Sequence, residues 1–129
     1  MIRRTIAVLL VTLSIAAGLV MLHSWTAYGT LAWWRIPQRI SWCGRDYRRT
    51  ERSLTLADVT AQPVSLPGDA PYPYATVARV PPVAGRPLVT ARTPEASRHR
   101  VEPPLPCAMV VYLKTGPDRY AEYVILGGP

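Results

Sequence analysis

Residues 5–22 are eighteen consecutive positions without a charge, set directly behind Arg3 and Arg4. As a helix this stretch spans ~27 Å, close to the ~30 Å hydrocarbon core of a bilayer. Its polar side chains are Thr5, Thr12 and Ser14, whose hydroxyls can bond carbonyls one turn back and so enter lipid. The uncharged run continues to Trp34, interrupted only by His23. A helix over 5–34 would reach roughly 45 Å, so its second half is expected to leave the hydrocarbon layer. Trp25, Tyr28, Trp33 and Trp34 fall where an interfacial aromatic belt belongs, and Arg35, Arg39 and Trp42 extend that interfacial set. Ile36 precedes Pro37, which predicts the helix end there. The chain thus divides into a basic tail (1–4), a transmembrane helix with aromatic extension (5–34), an arginine-rich juxtamembrane linker (35–52) and a small β-rich domain (53–129).

A cleaved signal peptide would share the basic start, with Ala16-Ala17-Gly18 as its small-residue site. Cutting there would leave Leu19-Val20-Met21-Leu22 as an apolar mature end, so retention is the expectation. A lipoprotein is disfavoured because Cys43 lies well beyond the apolar core. Ser14 and Gly18 form a small-xxx-small pair, a weakly specific pattern for a homodimer through the helix.

The net charge of +7 is unevenly placed. Residues 35–52 hold six arginines against Asp46 and Glu51, whereas 53–129 carry seven basic and six acidic residues. Basic character close to the apolar run points to anionic head groups of a lipid bilayer. A nucleic-acid binder would need a basic face on the folded domain, and none is visible. Counting Lys and Arg near each end places the C-terminal side in the cytoplasm. Cys43 and Cys107 oppose that count. A disulfide between them would close a loop of about 64 residues, contribute on the order of 4 kcal/mol, and persist only in an oxidising compartment. The MIRR start before an apolar run also resembles a signal anchor. The expected location is therefore the plasma membrane, single-pass, with the C-terminal domain extracytoplasmic. The alternative is two separate buried thiols in a cytoplasmic domain.

Twelve of the fourteen prolines fall within 63–117, which excludes a long helix there. Aromatic and β-branched residues between them argue for short strands joined by rigid turns. The clearest element is a C-terminal β-hairpin: 107–114 alternates, 115–119 supplies turn chemistry, and 120–126 forms a second apolar-rich run. Ala121, Tyr123 and Ile125 share one face of that strand, and Glu122 marks the other as partly wet. Residues 54–60, 75–80 and 88–91 read as fainter strands, 66–74 as a surface loop. Thr93-Pro94-Glu95 has the order of a helix start, Thr93 as cap and Pro94 in the first turn. The fold class is an N-terminal single transmembrane helix plus a small, proline-rich, mainly-β domain, an antiparallel sheet or partly open barrel.

Fourteen arginines to a single lysine, with no Phe or Asn, is the bias of a GC-rich coding sequence, as in a high-GC bacterium. No catalytic motif stands out. His99 lies between two arginines, Ser41 lacks a nucleophile-elbow context, the carboxylates are scattered, and the glycines form no phosphate loop. Cys43, Cys107, His23 and His99 do not assemble a zinc set, so no metal or cofactor is expected. Residues 41–49 hold the densest run of unusual side chains, either a collar for lipid or a partner or a linker pinned by Cys43. The favoured function is a membrane-anchored, extracytoplasmic interaction module that binds another membrane or envelope protein. The alternatives are a small-ligand carrier or enzyme with a pocket in the sheet, and a cytoplasm-facing domain holding anionic lipid through residues 35–52.

Overall fold

The computed structural model describes residues 2–28, 35–81 and 85–127 and resolves two compact units, 1–38 and 39–129. In the first, α1 runs Ile2–Tyr28. Its stretch Arg4–Tyr28 is long and apolar enough to cross a membrane, and its Leu, Val and Ile side chains are exposed around the whole helix. A water-soluble helix would hide one stripe of them. Thr12 Oγ1 donates to Val8 O at 2.8 Å and Ser14 Oγ to Leu10 O at 2.9 Å, so their hydroxyls are satisfied within the helix, as expected. The helix stops earlier than Pro37 alone would dictate: Arg35 is already outside it, and Gln38 donates its backbone N–H to Tyr28 O at 2.9 Å.

The second unit is a six-stranded antiparallel sheet curled into a half-barrel. Its strands are β1 (Arg39–Trp42), β2 (Arg45–Leu54), β3 (Tyr74–Val80), β4 (Arg86–Ala91), β5 (Val110–Gly116) and β6 (Arg119–Ile125), in the order β1-β2-β6-β5-β4-β3. Two short helices, α2 (Leu56–Thr60) and α3 (Glu95–Arg98), sit in the connections. After the β1–β2 hairpin the chain crosses through α2 and residues 61–73 to the far edge. The four strands β3 to β6 then return one by one, and β6 closes against β2.

The linker expected at 35–52 is corrected: most of it is β1 and β2, and the unit boundary lies at 38/39. The local cause is Cys43-Gly44. Trp42 pairs with Arg45, leaving a two-residue loop whose residues have φ of 52° and 69°. Positive φ at both central positions is the type I′ geometry that matches strand twist. Beside it, exposed Arg39, Arg45 and Arg48 accompany buried Ile40 and Tyr47, a half-buried strand pattern masked in sequence by the charge run.

Residues 54–60 do not form a strand. Thr55 Oγ1 accepts from Asp58 N–H at 3.2 Å, and the Asp58 carboxylate accepts from Thr55 N–H at 2.9 Å. This capping box starts α2 and outweighs the weak alternation of the segment. At α3, Pro94 itself occupies the N-cap position and Thr93 lies outside, its N–H bonded to Cys107 O at 2.9 Å. The strand expected from Cys107 begins only at Val110. Strands β3, β4 and the β5–β6 hairpin stand where they were expected.

Alternation divides the core. Ile40, Tyr47, Leu88, Val111, Leu113, Ala121 and Tyr123, at most 3% exposed, lie on one face by register. On the other face α2 lays Val59 against Val89, Tyr112 and Tyr120, with Leu54 and Tyr74 at the margin. The central strands are therefore covered on both sides, and Glu122, expected to be partly wet, is only 8% exposed. β4 and β5 share just two register pairs, Leu88 with Leu113 and Val89 with Tyr112. Past them, Thr90 Oγ1 bonds Val110 O at 2.8 Å, replacing a ladder bond as the strands part.

Candidate functional site

Cys43, at the tip of the β1–β2 turn, and buried Cys107 form a disulfide with Cα atoms 6.3 Å apart. It joins the first hairpin to the 92–109 connection, which Tyr47 also holds by donating its hydroxyl to Ala108 O at 2.8 Å. Burial raises the Tyr47 and Tyr123 phenols above their usual range. Arg49 and Arg86 act on Tyr123 in the opposite, smaller sense. Arg49 Nε is buried with no hydrogen-bond partner among the described residues.

The interfacial residues expected from sequence separate into several environments. Trp25 is exposed on α1, and Tyr28, the last described residue of that helix, sets its ring edge-on to His23 at 6.3 Å. Trp33 and Trp34 lie outside the described residues. Arg35 is exposed, and Arg39 is exposed opposite Arg48 on the β1–β2 ladder. Trp42 is half-buried, its ring 6.3 Å from that of Tyr47, and so contributes to the packing of the first hairpin. Ser14 and Gly18 are one turn apart on α1, and a Cβ at Gly18 would meet nothing within 4 Å. His99 is exposed, 3.9 Å from Glu95 one turn before it. Among the described residues no three His, Cys, Asp or Glu side chains cluster as for a metal ion.

A polar cleft that sequence reasoning missed lies between β2, α2 and the β5–β6 hairpin. It has a volume of about 200 Å³ and is lined chiefly by Arg52, Leu54, Asp58, Gln62, Tyr112 and Glu122. A bulge in the β2–β6 pairing between Arg49 and Ser53 sets residues 50–52 of β2 against Glu122. Thr50 Oγ1 donates to Glu122 Oε2 at 2.9 Å and Arg52 Nη1 to Oε1 at 3.3 Å. The Arg52 side chain is 62% exposed and that of Glu122 only 10%. Tyr112 pairs with Glu122 across the ladder and packs its ring 6.2 Å from Tyr74. No local motif encodes this site. Its one legible component was the T-x-x-D box that holds Asp58 and keeps its carboxyl below the usual range through the Thr55 bonds.

A second polar knot fixes the 61–73 connection. Tyr72 and Arg100 both donate to the Asp69 carboxylate, and Tyr72 also receives Leu66 N–H at 3.4 Å. Hydrogen bonds from Tyr72, then Ser97 and Arg100, hold the Asp69 carboxyl down to about 2. An unfolded Asp titrates near ~3.9, so the folded group binds its proton less readily. Its contribution is complete above pH ~4 and is lost as pH falls from about 4 towards 2. Asp69→Asn is expected to flatten the acid limb of stability over that window, read from unfolding midpoints between pH 2 and 5; an unchanged limb would remove Asp69 from acid sensitivity.

No family model, curated protein or solved structure matches this chain.

Proposed function

We propose that the chain is a single-pass membrane protein whose helix stays in the plasma membrane and holds the β domain on the extracytoplasmic side, where it binds another membrane or envelope protein. The observation that carries this is the Cys43–Cys107 disulfide in the same chain as an apolar, all-round exposed helix. Reducing compartments do not maintain such a bond, and a helix of this surface has no soluble packing solution without a partner. Two features suit the domain to interaction. β3 is a seven-residue strand at the sheet edge, with no strand on its outer side among the described residues, the arrangement used in strand addition. Met109, Val124 and Leu126 are each exposed where β5 begins and β6 ends, and Arg48 stands across the ladder from Val124.

The test is thiol labelling in intact cells with a membrane-impermeant maleimide, paired with alkaline extraction of membranes. No labelling before reduction, labelling of both cysteines after it, and retention in the membrane pellet are expected. Ready labelling without reductant would reject the disulfide, and no labelling in intact cells even after reduction would reject the extracytoplasmic placement. A soluble product starting beyond Gly18 would reject the anchor. Binding is checked by purification in mild detergent, where absence of a reproducible partner counts against the interaction role.

A further inference from the structure

We propose that the cleft between β2, α2 and the β5–β6 hairpin is a binding site for an organic ammonium group, with Arg52 as its built-in competitor. The floor is the Glu122 carboxylate, whose side chain is only 10% exposed. A carboxylate offers about four lone-pair sites, and here one hydroxyl and one guanidinium nitrogen occupy two. A charge this buried is ordinarily matched more fully, because its lost hydration is costly. The wall is Tyr112, 7% exposed, which pairs with Glu122 across the β5–β6 ladder. An aromatic side chain beside a buried carboxylate in one cleft is a combination that favours a cation.

Polarity and size narrow the occupant. Asp58 and Glu122 outweigh Arg52, so the lining is net negative. About 200 Å³ lies below the range of drug-sized pockets and suits a single alkylammonium or the end of one lysine side chain. Arg52 reaches Glu122 from solvent with its side chain 62% exposed, so it is held loosely enough to swing aside. The site therefore rests closed by an internal cation and opens to an external one. This is independent of the side of the membrane on which the domain lies.

The experiment is a backbone-amide NMR titration of the full chain in non-ionic detergent, using n-butylammonium in one arm and N-acetyl-lysine amide in the other. Saturable shifts centred on residues 52, 58, 62, 112 and 122 are expected. Arg52→Ala should tighten binding about fivefold, the scale of one exposed ion pair lost as competitor. Glu122→Gln should abolish it, while Glu51→Gln, an exposed change of equal charge, should leave it unaltered. Saturation by n-butylammonium identifies a free amine as sufficient, and saturation by the lysine amide alone identifies a partner's side chain. If Glu122→Gln disturbs the sheet amides, the Arg52→Ala arm decides by itself. Absence of saturable shifts in both wild type and Arg52→Ala, or equal binding by a folded Glu122→Gln, overturns the proposal.

Discussion

Replacing Cys43 and Cys107 together by alanine is expected to lower the stability of the β domain by about 4 kcal/mol. The disulfide spans 64 residues, and closing a loop of that length removes chain entropy from the unfolded ensemble by an amount of this order. The loop includes β2, α2, β3, β4 and α3, so the unfolded state it restrains is most of the domain. At ~4–8 °C per kcal/mol for a domain of this size, thermal unfolding should fall by at least about 15 °C. The measurement is thermal unfolding of the full chain in detergent micelles, followed by near-ultraviolet circular dichroism of the buried tyrosines. Wild type in reductant should reproduce the variant. A drop under about 5 °C in both would show that Tyr47, its hydroxyl on Ala108, and the sheet hold the 92–109 connection without the covalent bond.

Leu113→Ala should cost about 3 kcal/mol, within the 2–5 kcal/mol range of large-to-small changes in packed cores. Leu113 is fully buried on β5, paired with Leu88 on one side and Ala121 on the other. Those two neighbours cannot both move in to fill the space, because their strands are fixed by ladder bonds on either side of β5. Leu126→Ala, at a position 40% exposed, is the matched control and should stay within about 0.5 kcal/mol. Urea unfolding distinguishes them by midpoint at constant slope. Equal costs for the two would mean that the core is centred elsewhere than on the β4–β5–β6 face.

The contrast between Leu113 and Glu122 shows what was legible. Leu113 sat in an alternating run beside turn residues, and period-two patterning marks the inward side of such a run without any knowledge of neighbours. The same rule marks Glu122 as wet. Its burial depends on α2 lying over that face, and on a β2 bulge that brings Thr50 and Arg52 to it from about seventy residues away. The first hairpin was hidden for a different reason. Arginine density at 39–49 resembles a head-group collar, and positive φ at Cys43 does not announce itself the way Asn-Gly does. Thr55 and Asp58 were the reverse case. Their capping-box spacing was present to be seen, and the loose alternation around them obscured it.

By itself the sequence determined that the chain has a membrane-length apolar helix followed by a β domain, because both follow from local quantities: run length, charge absence, proline spacing and alternation. The pairing of the two cysteines was also foreseeable, since there were only two to pair. Only the tertiary structure decided that the arginine-rich stretch is part of the sheet and that β6 closes on β2. It alone enclosed Glu122, Tyr112 and Arg52 in one cleft. Those outcomes depend on contacts between residues far apart in the chain, whose free energy exists only once the backbone has been folded to bring them together.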